Sequence, residues 1–136
     1  ALNYAETAVP KQIVEAVLNG YVWVDVDVSE QTLTAYRGME RQWSTTVSTG
    51  KASTPTPLGQ YDVWIKLRWD DMQGEDYYFE SVPWVLYFHE GYGIHGVNWD
   101  TNFGVPGSHG CINVPDSDAQ AVYELLDVGD LVNIHE

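Results

Sequence analysis

Hydrophobic and polar residues alternate most regularly near the start of the chain. From Tyr21 to Val28, valine occupies every second position and an aromatic or acidic residue lies between, a period of two that predicts a strand with one buried face. In residues 9–19 the apolar positions instead recur at helical spacing, with Pro10 near the first turn and Gly20 just beyond the end. The chain is therefore predicted to begin its fold with a short helix followed by a strand.

Shorter runs predict the rest of the secondary structure. The first three strands follow one another with tight turns, which predicts an antiparallel meander. Two prolines at 55 and 57 cannot donate to a sheet ladder, so residues 50–59 are interpreted as a rigid loop. Residues 68–80 carry five carboxylates and Gly74 and are interpreted as a long loop, which is often functional in a compact domain. A second helix is predicted over 116–127, with Asp116 or Ser117 as its N-cap. The predicted strands are 21–28, 32–37, 42–49, 61–67, 82–88, 93–97 and 131–135.

This order of elements predicts a mainly β domain with one or two short helices. A chain of 136 residues with 44% hydrophobic composition is the size of one ordinary domain. Six basic residues against twenty acidic ones give a net charge of −14, which repels phosphate backbones and argues against nucleic-acid binding. No apolar run reaches the roughly 20 residues of a membrane span. Residues 1–6 lack the pattern of a signal peptide, so an export signal is expected outside this chain.

The densest cluster of reactive side chains is the run from Ser108 to Asn113, where the single cysteine, Cys111, lies two residues from His109. If this run is extended, both side chains point to the same face, and a neighbouring imidazolium would lower the pKa of the thiol. The adjacent glycines would let backbone amides approach an acyl oxygen closely, as an oxyanion hole requires. His95, followed by Gly96, is a second candidate imidazole. We therefore expect Cys111 to be a nucleophile assisted by two histidines.

Other interpretations remain open from the residues alone. A lone cysteine is often only a small buried hydrophobe. His95, His109 and Cys111 are also a possible zinc ligand set with an open fourth position, although no carboxylate general base lies nearby in the sequence. Aromatic residues such as Trp84 and Tyr87 could belong to the core or form a wall on which a ligand stacks.

The motifs around His95 and Cys111 resemble those of the L,D-transpeptidase catalytic domain, also called the YkuD domain. The Ser-His-Gly-Cys block with an upstream His-Gly is highly specific for this family, and the similarity extends over about residues 21–136. It implies an L,D-transpeptidase-type β-sandwich, with residues 1–20 as a helical lead-in and 21–136 as the catalytic domain. It also implies an enzyme that cross-links peptidoglycan stem peptides through a thioester on a cysteine, with release of a terminal D-alanine.

The resemblance further implies a role for each matching residue. Cys111 is expected as nucleophile, His95 as base and acid, and His109 as the orienting partner, with the amides of Gly110 and Cys111 as oxyanion donors. The residues expected to line the site or bind substrate are Ser108, Gly96, Asn113, Trp84 and Tyr87.

The same resemblance implies partners and a location. We expect stem peptides as acyl donor and amine acceptor, carbapenem β-lactams as covalent inhibitors, no metal or other cofactor, and no membrane span. The location is expected to be extracytoplasmic, with roles in peptidoglycan biosynthesis, cell-wall organisation and cell shape. An L,D-carboxypeptidase that uses water as acceptor, and a non-catalytic peptidoglycan-binding module, are the alternatives.

Overall fold

The computed structural model describes residues 9–136, and the predictions that fall on residues 1–8 lie outside it. Two short helices and nine strands occupy the described part of the chain. A bilayer-spanning helix, long and apolar, is absent from residues 9–136. The elements in chain order are α1 Lys11–Asn19, β1 Val22–Asp27, β2 Thr32–Arg37, β3 Glu40–Thr46, β4 Gly59–Asp62, β5 Ile65–Gln73, β6 Tyr78–His89, β7 Tyr92–His95, β8 Ile112–Asn113, α2 Asp116–Leu125 and β9 Leu131–His135.

The strands form two sheets, which confirms the predicted mainly β sandwich. One sheet has the order β3-β2-β1-β9-β4, and the other has the order β5-β6-β7-β8. The predicted meander is the antiparallel β1-β2-β3 unit. Strand β9, at the end of the chain, pairs in parallel with β1 and closes the middle of the five-stranded sheet.

The alternation in β1 sorts its side chains onto two faces. Val24 and Val26 are fully buried between the sheets, where they share a core with Leu86 and Ile94 of the second sheet. Trp23 lies on the opposite face, where helix α1 covers it. Both faces of this strand are therefore buried, which a period of two does not reveal by itself.

Residues 68–80 form a hairpin, so the predicted long loop is wrong. Strand β5 runs to Gln73, strand β6 begins at Tyr78, and the two pair antiparallel with an irregularity between Asp70 and Met72. A Cβ at Gly74 would lie 2.1 Å from the ring of Tyr77, so the turn needs glycine to accommodate that ring. The acidic residues obscured the alternation, because four of the five are exposed to solvent on this hairpin.

Smaller differences concern the ends of elements. The predicted strand 61–67 is two strands in different sheets, β4 and β5, with the chain crossing between them. Pro115, and neither Asp116 nor Ser117, lies at the N-cap of α2, and no side chain caps this helix end. Proline is tolerated there because the N–H that it lacks would lie outside the hydrogen bonds of the helix.

Candidate active site

The run from Ser108 to Cys111 is a turn rather than the extended segment that the sequence suggested. The hydroxyl of Ser108 donates to the carbonyl of Cys111 at 2.5 Å and accepts the amide N–H of Gly110 at 3.0 Å. Gly110 has φ +120°, and a Cβ there would lie 2.4 Å from the ring of Tyr92. Glycine is therefore required for this turn, both by its backbone conformation and by the close approach of Tyr92.

The loop after β3 holds this turn in place through hydrogen bonds. The backbone of Thr49 accepts the amides of Gly107 and Ser108 at 2.9 and 3.0 Å. The hydroxyl of Thr54 donates to the Ser108 carbonyl at 2.9 Å, and that of Thr56 donates to the Gly110 carbonyl at 2.7 Å. The loop with the two prolines thus holds the cysteine turn through its threonines, and this gives a structural reason for its rigidity.

His95 lies at the end of β7 with its imidazole buried. Its Nδ1 is 2.6 Å from the carbonyl of Gly96, and because a carbonyl only accepts, Nδ1 carries the proton. The lone pair of neutral His95 is consequently on Nε2. Burial lowers the pKa of His95 to about 4, against a smaller raising effect of the Gly96 carbonyl, so the imidazole is neutral at physiological pH.

His109 is positioned by the tip of the β5–β6 hairpin. Its ring stacks on that of Tyr77 with a centroid distance of 4.0 Å, and its Nε2 is 4.0 Å from a carboxylate oxygen of Asp76. Next along the hairpin, Phe79 stacks on Trp99 at 4.0 Å. The hairpin therefore forms one wall beside the cysteine.

Cys111 and both histidines line one narrow cavity of about 70 Å³, which has room for a group of a few heavy atoms. Cys111 is partly buried, and its Sγ hydrogen-bonds to the carbonyl of Gly91 at 3.7 Å. Within residues 9–136, Sγ makes no hydrogen bond to either imidazole. The cavity, named the histidine cavity, is lined by Met72, Tyr77, Phe79, His95, Trp99, Gly107, Ser108, His109, Cys111 and Asn113.

The resting thiol is protonated, contrary to the sequence expectation of a lowered pKa. Burial raises the pKa of Cys111 to about 11, and a backbone hydrogen bond from Gly93 opposes this only in part. The expectation assumed an imidazolium beside the sulfur, whereas the pKa of His95 keeps that ring neutral. The resting pair is a neutral thiol with a neutral imidazole.

The remaining predicted residues have different positions. Asn113 and Ser108 line the histidine cavity, whereas Gly96 serves as the carbonyl partner of His95. Trp84 lies outside the cavity, against Tyr123 of α2 and under the guanidinium of Arg68. Tyr87 donates to Asp70 at 2.6 Å and lines a separate groove.

The two predicted oxyanion donors also differ. The amide of Gly110 is already used by the Ser108 hydroxyl. The amide of Cys111 has no acceptor among the residues that the structure describes, so it is the donor available to an incoming oxygen.

The aromatic side chains of the hairpin were not assigned to the site from the sequence. Tyr77 and Phe79 lie among carboxylates in residues 68–80, where the charges suggested a solvated loop. The available signal was the unusual density of aromatic residues in an acidic segment, since a solvated loop has no need of them.

The described residues contain no group of three or more His, Cys, Asp or Glu side chains placed to hold one metal ion. The zinc interpretation of His95, His109 and Cys111 therefore has no geometric support in this structure.

Comparison with known proteins relates this chain to one family. The family model of the L,D-transpeptidase catalytic domain, YkuD, matches residues 21–134. A curated relative, L,D-transpeptidase 2 of Mycobacterium tuberculosis, is 33% identical over an alignment of 101 positions that covers 64% of this chain. This chain spans only 24% of that relative, about a quarter of its length.

Two solved structures share the fold. An L,D-transpeptidase, LdtMt1, in complex with imipenem has a TM-score of 0.78 and 26% identity, covering 84% of this chain and 58% of that one. L,D-transpeptidase 3 from Mycobacterium tuberculosis, in complex with a faropenem-derived adduct, has a TM-score of 0.77 and 25% identity, covering 85% and 60%.

Proposed function

This chain belongs to the L,D-transpeptidase family, a family of enzymes, and we propose that it cross-links peptidoglycan stem peptides with Cys111 as nucleophile. The observation that carries the proposal is the histidine cavity itself. It contains the single thiol of the chain and two imidazoles, one of which, His95, has a free lone pair on Nε2. A neutral thiol next to a neutral base is a competent starting point for acyl transfer.

In the proposed acylation, Sγ attacks the carbonyl carbon of the third residue of a stem peptide. The thiol proton passes to Nε2 of His95 as the S–C bond forms, because neither group ionises beforehand at neutral pH. The amide of Cys111 donates to the developing oxyanion. The C–N bond then breaks, and the imidazolium returns its proton to the departing nitrogen of D-alanine.

The second half of the reaction reverses these roles. An amine from a neighbouring stem attacks the thioester carbon and gives its proton to His95. The new C–N bond forms, the C–S bond breaks, and the sulfur regains a proton from the imidazolium. For this cycle Sγ exchanges its hydrogen bond with Gly91 for one with an imidazole when substrate binds.

The proposed setting is the cell wall, outside the cytoplasm, where stem peptides are found. The net charge of −14 favours the approach of cationic amines over anionic polymers, although salt screens it beyond about 10 Å. His109, held by Tyr77, is proposed to orient the acyl group. Carbapenems are proposed as covalent inhibitors, and related structures that hold imipenem or a faropenem-derived adduct support this.

The test is an intact-mass time course with imipenem, followed by product analysis of a tetrapeptide donor. The protein should gain the mass of one drug molecule, and Cys111→Ala should remain folded and gain none. His95→Gln should slow acylation by about 10²-fold to 10⁴-fold, as expected for loss of a general base. Folding of each variant is checked by circular dichroism.

The products formed from the tetrapeptide donor show which acceptor takes the acyl group. With an amine present, the expected product is the new amide with one D-alanine released per bond formed. Release of D-alanine with only the free acid formed would assign the chain as an L,D-carboxypeptidase. A folded protein that takes up no drug and releases no D-alanine contradicts the enzyme and favours a binding module.

A further inference from the structure

Two depressions lie near Cys111, and only one of them is lined by histidine. The second is an open groove of about 480 Å³ along β5 and β6, named the β5–β6 groove. Its wall includes Gly91, whose carbonyl accepts a hydrogen bond from Sγ at 3.7 Å, so the groove adjoins the sulfur. The β5–β6 groove is lined by Trp64, Ile65, Leu67, Asp70, Tyr87, Glu90 and Gly91.

Proton transfer decides which part of a substrate lies on which side of the sulfur. The departing amine must receive a proton from an imidazole, and the incoming amine must give one to it. Both amines therefore lie on the side of the histidine cavity. The acyl part of the donor must extend away from that cavity, and the β5–β6 groove, which adjoins the sulfur at Gly91 and shares no lining residue with the histidine cavity, is the depression available to it. This step rests on the proposed function.

The groove has the size and the chemistry for a peptide side chain. A volume of about 480 Å³ is within the usual range of small-ligand sites. Trp64 is 54% exposed, and its ring lies 6.1 Å from that of Tyr87, which provides two aromatic faces beside an aliphatic floor.

The only charged side chains that line the groove, among the residues the structure describes, are carboxylates. Asp70 is fixed by the hydroxyl of Tyr87 at 2.6 Å. Glu90 is exposed, with one oxygen 3.9 Å from Nε2 of His89. No lysine or arginine lines this groove in the described part of the chain, so its charge complements a cation.

We propose that the β5–β6 groove binds the side chain of the third residue of the acyl donor and selects a free ammonium at its end. Glu90 and Asp70 attract the ammonium, and the faces of Trp64 and Tyr87 pack along the methylene chain and contribute cation–π attraction. The charge of the donor's third side chain thus determines how fast Cys111 is acylated.

The experiment compares acylation by two donors that differ only in this charge. One is a stem tetrapeptide with lysine as its third residue, and the other carries Nε-acetyl-lysine there. Formation of the acyl-enzyme is followed in the first turnover by intact mass, so that the lysine amine cannot contribute as an acceptor. We expect the free amine to react about fivefold faster in the unchanged protein, at the upper end for a partly exposed charge pair.

Substitution of the carboxylate should remove this preference. In Glu90→Gln the ratio between the two donors should fall below about twofold, with the same trend in Asp70→Asn. The matched control is Glu40→Gln, which removes the same charge from exposed strand β3 in the other sheet and should keep the full ratio. Equal rates for both donors in the unchanged protein, or a full ratio in Glu90→Gln, would falsify the assignment.

Acylation by a drug without a cationic group tests the proposed function independently of the groove assignment. Faropenem should acylate Cys111 at the same rate in the unchanged protein and in Glu40→Gln. If faropenem and both donors acylate Cys111 but the donors do so equally, the groove assignment fails and the enzyme remains. If none of the three acylates a folded protein, the proposed function fails as well.

Discussion

At the scale of single residues, burial sets the resting state of the chemistry. The pKa of Cys111 is raised to about 11 and that of His95 is lowered to about 4, both mainly by burial. In each case the charged form is disfavoured, so an ion pair does not form before substrate binds. In the proposed reaction, attack and proton transfer are therefore coupled, and the reactivity of the thiol toward simple reagents is a poor guide to its reactivity toward substrate.

Alkylation of Cys111 measures this state directly. Iodoacetamide should react at pH 7 more slowly than with a free cysteine, because only the thiolate reacts, and the rate should continue to rise up to about pH 11. A mass time course from pH 6 to pH 10.5 gives the profile, with Cys111→Ser as the unlabelled control. A plateau below pH 8 would contradict the raised pKa.

At the scale of elements, the β5–β6 hairpin organises the site. Its turn, which depends on Gly74, brings Tyr77 onto the ring of His109 and Phe79 onto Trp99. The hairpin also contributes Asp70 and Tyr87 to the groove beyond the sulfur. A single supersecondary unit therefore lines both the histidine cavity and the β5–β6 groove.

Loss of the ring contact between Tyr77 and His109 should mainly lower kcat/KM. In Tyr77→Ala, His109 loses a ring contact of a kind worth about 0.5–1.5 kcal/mol, so kcat/KM for the donor should fall by up to about tenfold. Tyr78→Ala is the control, since Tyr78 is 54% exposed and contacts Asp71 instead. The measurements are steady-state kinetics and the melting temperature of both variants. An equal decrease in the two variants would mean that the hairpin acts only through stability.

At the scale of the whole molecule, residues from opposite ends of the chain close the five-stranded sheet. His135 of β9 lies 2.8 Å from the carboxylate of Asp25 in β1, and both side chains are buried. Burial disfavours the imidazolium, but the hydrogen bond and charge of Asp25 outweigh it and raise the pKa of His135. The pair stabilises the junction of β1 and β9.

This pair makes a pH-dependent contribution to the free energy of unfolding. Because the pKa is raised in the folded state, the contribution is complete below the unfolded value of about 6.5 and is lost as pH rises through the folded value. The melting temperature of His135→Asn should therefore be lowered more at pH 5.5 than at pH 8.5. His89→Asn, at a more exposed histidine, should show the same small change at both pH values. A larger loss at pH 8.5 would contradict the raised pKa.

The sequence by itself determined the fold class, the meander, the second helix and the family. These predictions rest on local patterns: the strict alternation from Val22 to Asp27, the helical spacing in α2 and the reactive residues around Cys111. Such patterns can be recognised without knowing which residues contact one another.

Only the tertiary structure decided the rest. The hairpin over residues 65–89 depends on cross-strand pairs that its acidic residues conceal, and the pKa of Cys111 depends on burial by distant elements. Trp84 and Tyr87 looked alike in sequence and belong to the same strand, yet Trp84 has a positive φ of 58° within β6 and the two side chains lie in different environments, Trp84 beside α2 and Tyr87 in the groove. Burial and the direction of a side chain are properties of packing between elements, which no single segment contains.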